Sequence, residues 1–315
     1  MAKRVLIVVA ILVTCLGAVV GCSDDRTGSG DSGLVIGSDG SAALRVMAQI
    51  YAGALRNTGA PVADTSITGD DAALLERMDQ ATLDLFPALT GSLLAVLAPD
   101  DPRGDTATAD GGADEGYSPV YAALNRALPQ GVSVGDATPV SALPQIFIAS
   151  SLATSTGVSD LSDCARLPQL PLVAVGGADS ATDDATLAAF RAAGCRFGPV
   201  TSVPDAQAVL DRVAAGTAVG VLTALDAAGG TTGQVQALRV PSADERGPSP
   251  AAAGPTEQNL VPVFRTAALT GDQVKTVNKV AGEITTADLA TMARAVEDGS
   301  DPRERAAAWL AEHGL

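Results

Sequence analysis

Leu34-Val35-Ile36-Gly37-Ser38 is a short apolar run that ends at a glycine, and the pattern after it changes period. From 41 to 59 the apolar residues Leu44, Met47, Ala48, Tyr51 and Leu55 recur at helical spacing, and Gly59 stops them. A strand giving way to an amphipathic helix is the opening unit of an alternating chain. Outward from it, 61–67 reads as a second strand and 70–79 as a helix with Leu74, Leu75 and Met78 on one face. Leu83-Asp84-Leu85-Phe86 reads as a third strand and Thr90 to Leu97 as a helix. Residues 99–116, rich in Asp and Gly, read as a surface loop, and 117–128 as a helix. Strands at 146–149, 172–175 and 218–222 alternate with helices at 183–193 and 204–215. A Pro-rich stretch, 241–258, reads as a loop before a strand at 259–265.

Three helices close the chain. Val274, Val277, Val280 and Ala281 mark the first, and Leu289, Met292, Ala293 and Val296 the second, capped by Thr285-Thr286. The third starts at Asp301-Pro302, with Glu304 placed to complete a capping box. The expected fold class is therefore α/β, with mostly parallel sheets and no internal repeat.

Composition narrows the function. The chain has 315 residues, 47% of them hydrophobic, enough for one large domain or two of ordinary size with a sizeable core. Its net charge of −16 argues against nucleic acid, whose phosphates reward a basic face. The one histidine is His313, so His-based catalysis and His-rich metal sites have no material. No phosphate-binding loop and no zinc spacing occur. The Gly-rich pieces at 175–177 and 228–231 read as turns, and acidic pairs such as Asp70-Asp71 as solvated charge near helix starts. No catalytic residues and no cofactor are expected.

The N-terminus reads as an address. Lys3 and Arg4 precede an apolar run, Val5 to Val20, shorter than a spanning helix needs. It closes on Val19-Val20-Gly21-Cys22, which resembles the lipobox of bacterial lipoproteins. That resemblance implies a signal peptide over 1–21, a lipid on Cys22, a flexible tether over 22–33 and a body held outside the cytoplasm. In such an oxidising compartment Cys164 and Cys195 form an even pair. A disulfide is the first reading, with two free buried thiols or a metal pair as alternatives.

Three further stretches carry a family resemblance. The first strand and helix, with Ala48-Gln49-Ile50-Tyr51-Ala52-Gly53-Ala54-Leu55, are one. Asp84-Leu85-Phe86-Pro87-Ala88-Leu89-Thr90-Gly91 is the second. The C-terminal stretch from Leu260-Val261-Pro262-Val263-Phe264-Arg265 to Trp309-Leu310-Ala311-Glu312-His313-Gly314-Leu315 is the third. Together they resemble the substrate-binding lipoproteins of osmoprotectant ABC transporters, which take glycine betaine, choline, carnitine or proline. The resemblance implies a two-lobed, type II periplasmic-binding-protein-like fold with two crossing segments and a ligand cleft between lobes. On that template lobe one takes 34–142 plus 253–315, and lobe two takes 143–252. It also implies a monomer that closes on a small molecule and delivers it to membrane permease subunits.

Candidate ligand residues follow from the template and the residue chemistry: Ser38, Asp39, Ser41, Phe86, Thr90, Gln145, Thr223 and Asp226. A quaternary ammonium is gripped by aromatic faces. Aromatic residues are only 3% here, and Phe86 and Leu89 stand where the family's pocket segment usually has two Tyr. Phe86 is then expected as a stacking wall among hydroxyl and carboxylate partners. Such a pocket suits a neutral polyol, sugar or phenolic as well as betaine. A ligand-sensing lipoprotein without a transport role is a further alternative.

Overall fold

The computed structural model describes residues 33–101, 118–176, 184–227, 233–240 and 255–315. The expected signal peptide, Cys22, nearly all of the tether, most of the 99–116 loop and most of the Pro-rich stretch lie outside the described residues.

The chain opens with β1 (Leu34–Ser38), α1 (Ala42–Asn57), β2 (Val62–Thr68), α2 (Asp71–Asp79), β3 (Leu85–Leu89) and α3 (Thr90–Leu97). Next come α4 (Pro119–Ala127), β4 (Val132–Val134), β5 (Pro144–Ala149), α5 (Ser150–Thr156), a 3-10 turn at Leu161–Arg166, β6 (Leu172–Val175) and α6 (Asp184–Ala192). These are followed by β7 (Val200–Val203), α7 (Ala206–Ala214), β8 (Val219–Thr223), the single-turn α8 (Ala224–Ala227) and β9 (Val235–Ala237). The end is β10 (Leu260–Arg265), α9 (Gly271–Glu283), α10 (Thr286–Glu297) and α11 (Pro302–His313).

The strands form two five-stranded sheets, in the orders β2-β1-β3-β10-β4 and β7-β6-β8-β5-β9. Each sheet belongs to one lobe of a mixed α/β, two-lobed architecture. The sheets are less parallel than the alternation suggests. β1 pairs in parallel with β2 and β3, and β6 with β7 and β8. In contrast, β10 runs antiparallel to β3 and β4, and β5 antiparallel to β8 and β9. The cause is connectivity: the chain leaves the first sheet after β4 and returns as β10, entering from the opposite direction.

Those two passages lie side by side. Ala142 N donates to Gln258 O at 2.8 Å and Leu260 N to Val140 O at 3.1 Å, around an antiparallel bridge between Ser141 and Asn259.

Both faces of the first sheet are covered, as its near-continuous apolar strands require. On one face α1 buries Met47, Ile50, Tyr51 and Leu55 in a core shared with Val277 and Val280 of α9, Leu289 of α10, and Trp309 and Leu310 of α11. Each such side chain contributes about 1.5–3 kcal/mol by leaving water. Helices α1 and α11 approach closely because Gly53 has no side chain: a Cβ there would sit 2.5 Å from Leu310 Cδ1. On the other face Leu74, Met78, Phe86, Leu93, Leu124 and Val263 form a second core. The second sheet repeats the plan, with Ile146, Ile148, Leu172 and Phe190 on one side and Phe147, Val173, Val209 and Leu222 on the other. Cys164 and Cys195 are buried and joined by a disulfide, which ties the 3-10 turn to the segment after α6.

Capping differs from expectation at one helix. Asp301 caps α11 by accepting from Arg303 N, without a reciprocal contact from Glu304. Reciprocal boxes occur instead at Thr270 with Gln273 and Thr285 with Asp288.

Candidate functional site

In parallel sheets, ligands gather beyond the carboxyl ends of the strands, where loops and helix starts are free to differ. Ser38 ends β1 and is 1% exposed, beside Thr68 at the end of β2. Asp39 follows, exposed, and its Oδ1 accepts from Ser41 N at 2.8 Å. Ser41 is the N-cap of α1 and accepts from Leu44 N at 3.3 Å. Close by, Asp70 caps α2 by accepting from Ala73 N, and Asp71 opens that helix. Burial, then the charges of Asp39 and Asp70, push the Asp71 carboxyl up to about 7. The charges of Asp39 and Asp70 thus make this edge of the first sheet resist a further negative charge, and Asp71 holds its proton up to about pH 7.

Thr90 lies at the carboxyl end of β3, buried, and is tied to the returning passage. Its Oγ1 accepts from Asn259 N at 3.0 Å and donates to Glu257 O at 3.4 Å. Its backbone N donates to Asn259 O at 2.9 Å. Gln258 Oε1 accepts from Ser92 N at 3.0 Å, which satisfies an otherwise orphaned N–H of the first turn of α3. Gly91 allows this contact, because a Cβ there would lie 2.5 Å from Glu257 O. Asn259 Nδ2 in turn donates to Glu257 Oε1 at 2.6 Å.

On the second sheet Thr223 ends β8, and Asp226 lies one turn on in α8. Asp226 Oδ2 accepts from Thr223 N at 3.0 Å and from Thr223 Oγ1 at 2.8 Å, while Asp226 N donates to Thr223 Oγ1 at 3.1 Å. Gln145, half-buried near the start of β5, pairs in register with Leu222 of β8. Thus Gln145, Thr223 and Asp226 share one edge of the second sheet, as Ser38, Asp39, Ser41 and Thr90 share one edge of the first.

Phe86 does not join them. It is fully buried on the opposite side of β3 from Leu85, among Leu74, Met78, Leu93 and Leu124. The expectation of a stacking wall is corrected here: strand alternation turns its ring into the core, with no face for a solute.

Sequence reasoning also passed over Glu257, Gln258 and Asn259. They sit at the end of a stretch whose Pro and Gly content reads as loop, and only the Thr90-Gly91 pair after a strand hinted at a close backbone contact. Asp71 was read as solvated charge, since its burial depends on packing at the strand ends. Among the described residues, no group of three or more His, Cys, Asp or Glu is arranged to hold a metal ion. No described helix is long and apolar enough to cross a membrane.

Two sheets joined by paired passages, with polar groups at their strand ends, make a two-lobed, type II periplasmic-binding-protein-like fold. Solved structures agree on the fold. Apo YehZ from Escherichia coli matches with a TM-score of 0.65 at 18% identity, over 90% of this chain and 99% of that one. A glycine betaine/carnitine/choline ABC transporter structure matches with a TM-score of 0.66 at 14% identity, over 89% and 98%. No curated protein sequence matches the chain. The chain belongs to the OpuAC family, the substrate-binding domain of ABC-type glycine betaine transport systems, whose model matches residues 32–312. It is accordingly a solute-binding component of an ABC importer, extracytoplasmic in its work, and not an enzyme.

Proposed function

We propose that the protein captures an osmoprotectant-like small molecule, glycine betaine, choline or a related quaternary amine, and delivers it to a membrane permease after lobe closure. The observation that carries this reading is the family match over 32–312. The charges of Asp39 and Asp70 support it, since they favour a quaternary ammonium end of the solute at this strand edge. The ligand residues in this reading are Ser38, Asp39, Ser41, Thr90, Gln145, Thr223 and Asp226. The lobes divide as 34–142 plus 253–315 and 143–252, and the body works as a monomer anchored by a lipid on Cys22.

A second reading takes a neutral polyol, sugar or phenolic. It is favoured by the burial of Phe86, which leaves the cleft short of the aromatic faces that hold quaternary ammonium groups. Calorimetric titration with glycine betaine, choline, carnitine, polyols and phenolics separates the two. Micromolar binding of betaine or choline supports the first reading, and binding of a neutral hydroxylated solute alone supports the second. Binding of none leaves a sensing lipoprotein without a transport role as the better account.

A further inference from the structure

Helix α10 touches both the hinge and the second lobe. At its start, Thr286 Oγ1 accepts from Ser141 N at 3.2 Å and donates to Pro139 O at 3.4 Å, gripping the outgoing passage. Eight residues on, about 12 Å along the axis, Arg294 Nη2 donates to Asp226 O of α8 at 3.3 Å. Along the same helix Leu289, Met292 and Val296 are set in the core of the first lobe. Leu225 of α8, although it follows β8 of the second sheet, packs against that same first-lobe core.

The second lobe is thus fastened to the first at two separated places: the paired passages and the α8–α10 contact. One attachment leaves a rotation free, whereas two remove it. Turning the second lobe about the passages at 140–142 and 258–260 requires α8 to slide or lift from α10, because α10 is immobilised in the first-lobe core.

We propose that α10 is a brace across the hinge, and that Arg294 is the positioning residue that sets the angle between the lobes. The inference goes beyond solute binding and does not depend on which solute is taken. Arg294 meets α8 at the Asp226 carbonyl, while the Asp226 carboxylate is engaged with Thr223. Through α8 it also places the Thr223–Asp226 turn relative to the first lobe. Closure is then a transition between two arrangements of α8 on α10, and the Arg294 bond weights one of them.

The test is a distance measurement between lobes. Val96 in α3 and Val200 in β7 are exposed, at 43% and 47%, and lie on different lobes. With Cys15 and Cys22 replaced by Ser and the native disulfide kept, Val96→Cys and Val200→Cys carry spin labels for pulsed dipolar spectroscopy. The parent gives one dominant distance. Arg294→Met keeps length but removes the donors, and the ratio of the parent distance to new distances falls about tenfold, as loss of a charged hydrogen bond predicts. Arg294→Lys restores part of the parent distribution. Leu225→Ala broadens it likewise, and carries the test if Arg294→Met does not fold. The surface control Arg303→Gln leaves it unchanged. Parent-like distributions in Arg294→Met and Leu225→Ala, or equal broadening in Arg303→Gln, overturn the brace.

Discussion

Arg265 on β10 and Asp84 just before β3 are bound twice over, through side chains and through backbone. Arg265 Nε donates to Asp84 Oδ1 at 3.2 Å and to Leu83 O at 3.1 Å, Nη2 also donates to the carboxylate, and Arg265 N donates to Asp84 O at 3.0 Å. Asp84 Oδ2 accepts from Val35 N at 2.8 Å, so the pair links three strands at one end of the first sheet. The Arg265 and Asp84 side chains are 26% and 12% exposed, between the limits of a surface pair and a buried one. Asp84→Asn should therefore cost about 2–3 kcal/mol in urea unfolding. A loss below 0.5 kcal/mol, the scale of a surface pair, would show that water already screens the contact.

The disulfide closes a loop of 31 residues in sequence separation. On the loop-entropy model it stabilises the protein by about 3–4 kcal/mol. Cys164→Ala with Cys195→Ala should lower the thermal midpoint, and hydrogen exchange should rise most in the second lobe, which holds both cysteines. Uniform loss of protection in both lobes would mean that they unfold as one unit.

Gly91→Ala puts a methyl group 2.5 Å from Glu257 O, a backbone atom of the returning passage. The passage must shift, at about 1–3 kcal/mol by analogy with overpacking. Solute affinity should fall with it, because Thr90 and Asn259 move together. Calorimetry and a thermal melt read both effects, and parent values in both would remove the Thr90–Asn259 contact from the site.

The raised Asp71 pKa has a definite sign. Between its ordinary value of 3.8 and about 7, the folded protein holds a proton on Asp71 that the unfolded chain has released. Asp71 therefore makes stability fall as pH rises through this window, and its contribution to the slope is absent above it. Denaturant midpoints taken from pH 4 to pH 8 should lose this component in Asp71→Asn. Superimposable pH profiles for the variant and the parent would refute the assignment.

Much of the fold was legible because its signals are local. Apolar spacing marked α1, α9 and α10, and Thr285-Thr286 and Asp301-Pro302 marked the starts of α10 and α11. The strands missed were β4 and β9, only three residues each, and β7, whose Val200, Thr201 and Ser202 are exposed and show no buried face. The site was legible in part. Ser38 and Thr90 fall at strand ends by counting, whereas the inward turn of Phe86 depends on strand phase, which a run of apolar residues conceals. Arg294 and Asp226 are 68 residues apart, and no local pattern announces their contact.

The place of β10 between β3 and β4 has a consequence for biogenesis. Every strand of the second sheet is synthesised before β10, which lies near the end of the chain. A chain emerging N-terminus first can complete the second lobe while the first still has a vacant slot between β3 and β4. The first lobe must then wait, with the flanks of β3 and β4 unpaired, until the last quarter of the chain arrives and zips the slot shut. Truncation at the C-terminus would therefore cripple the half of the molecule that was made first.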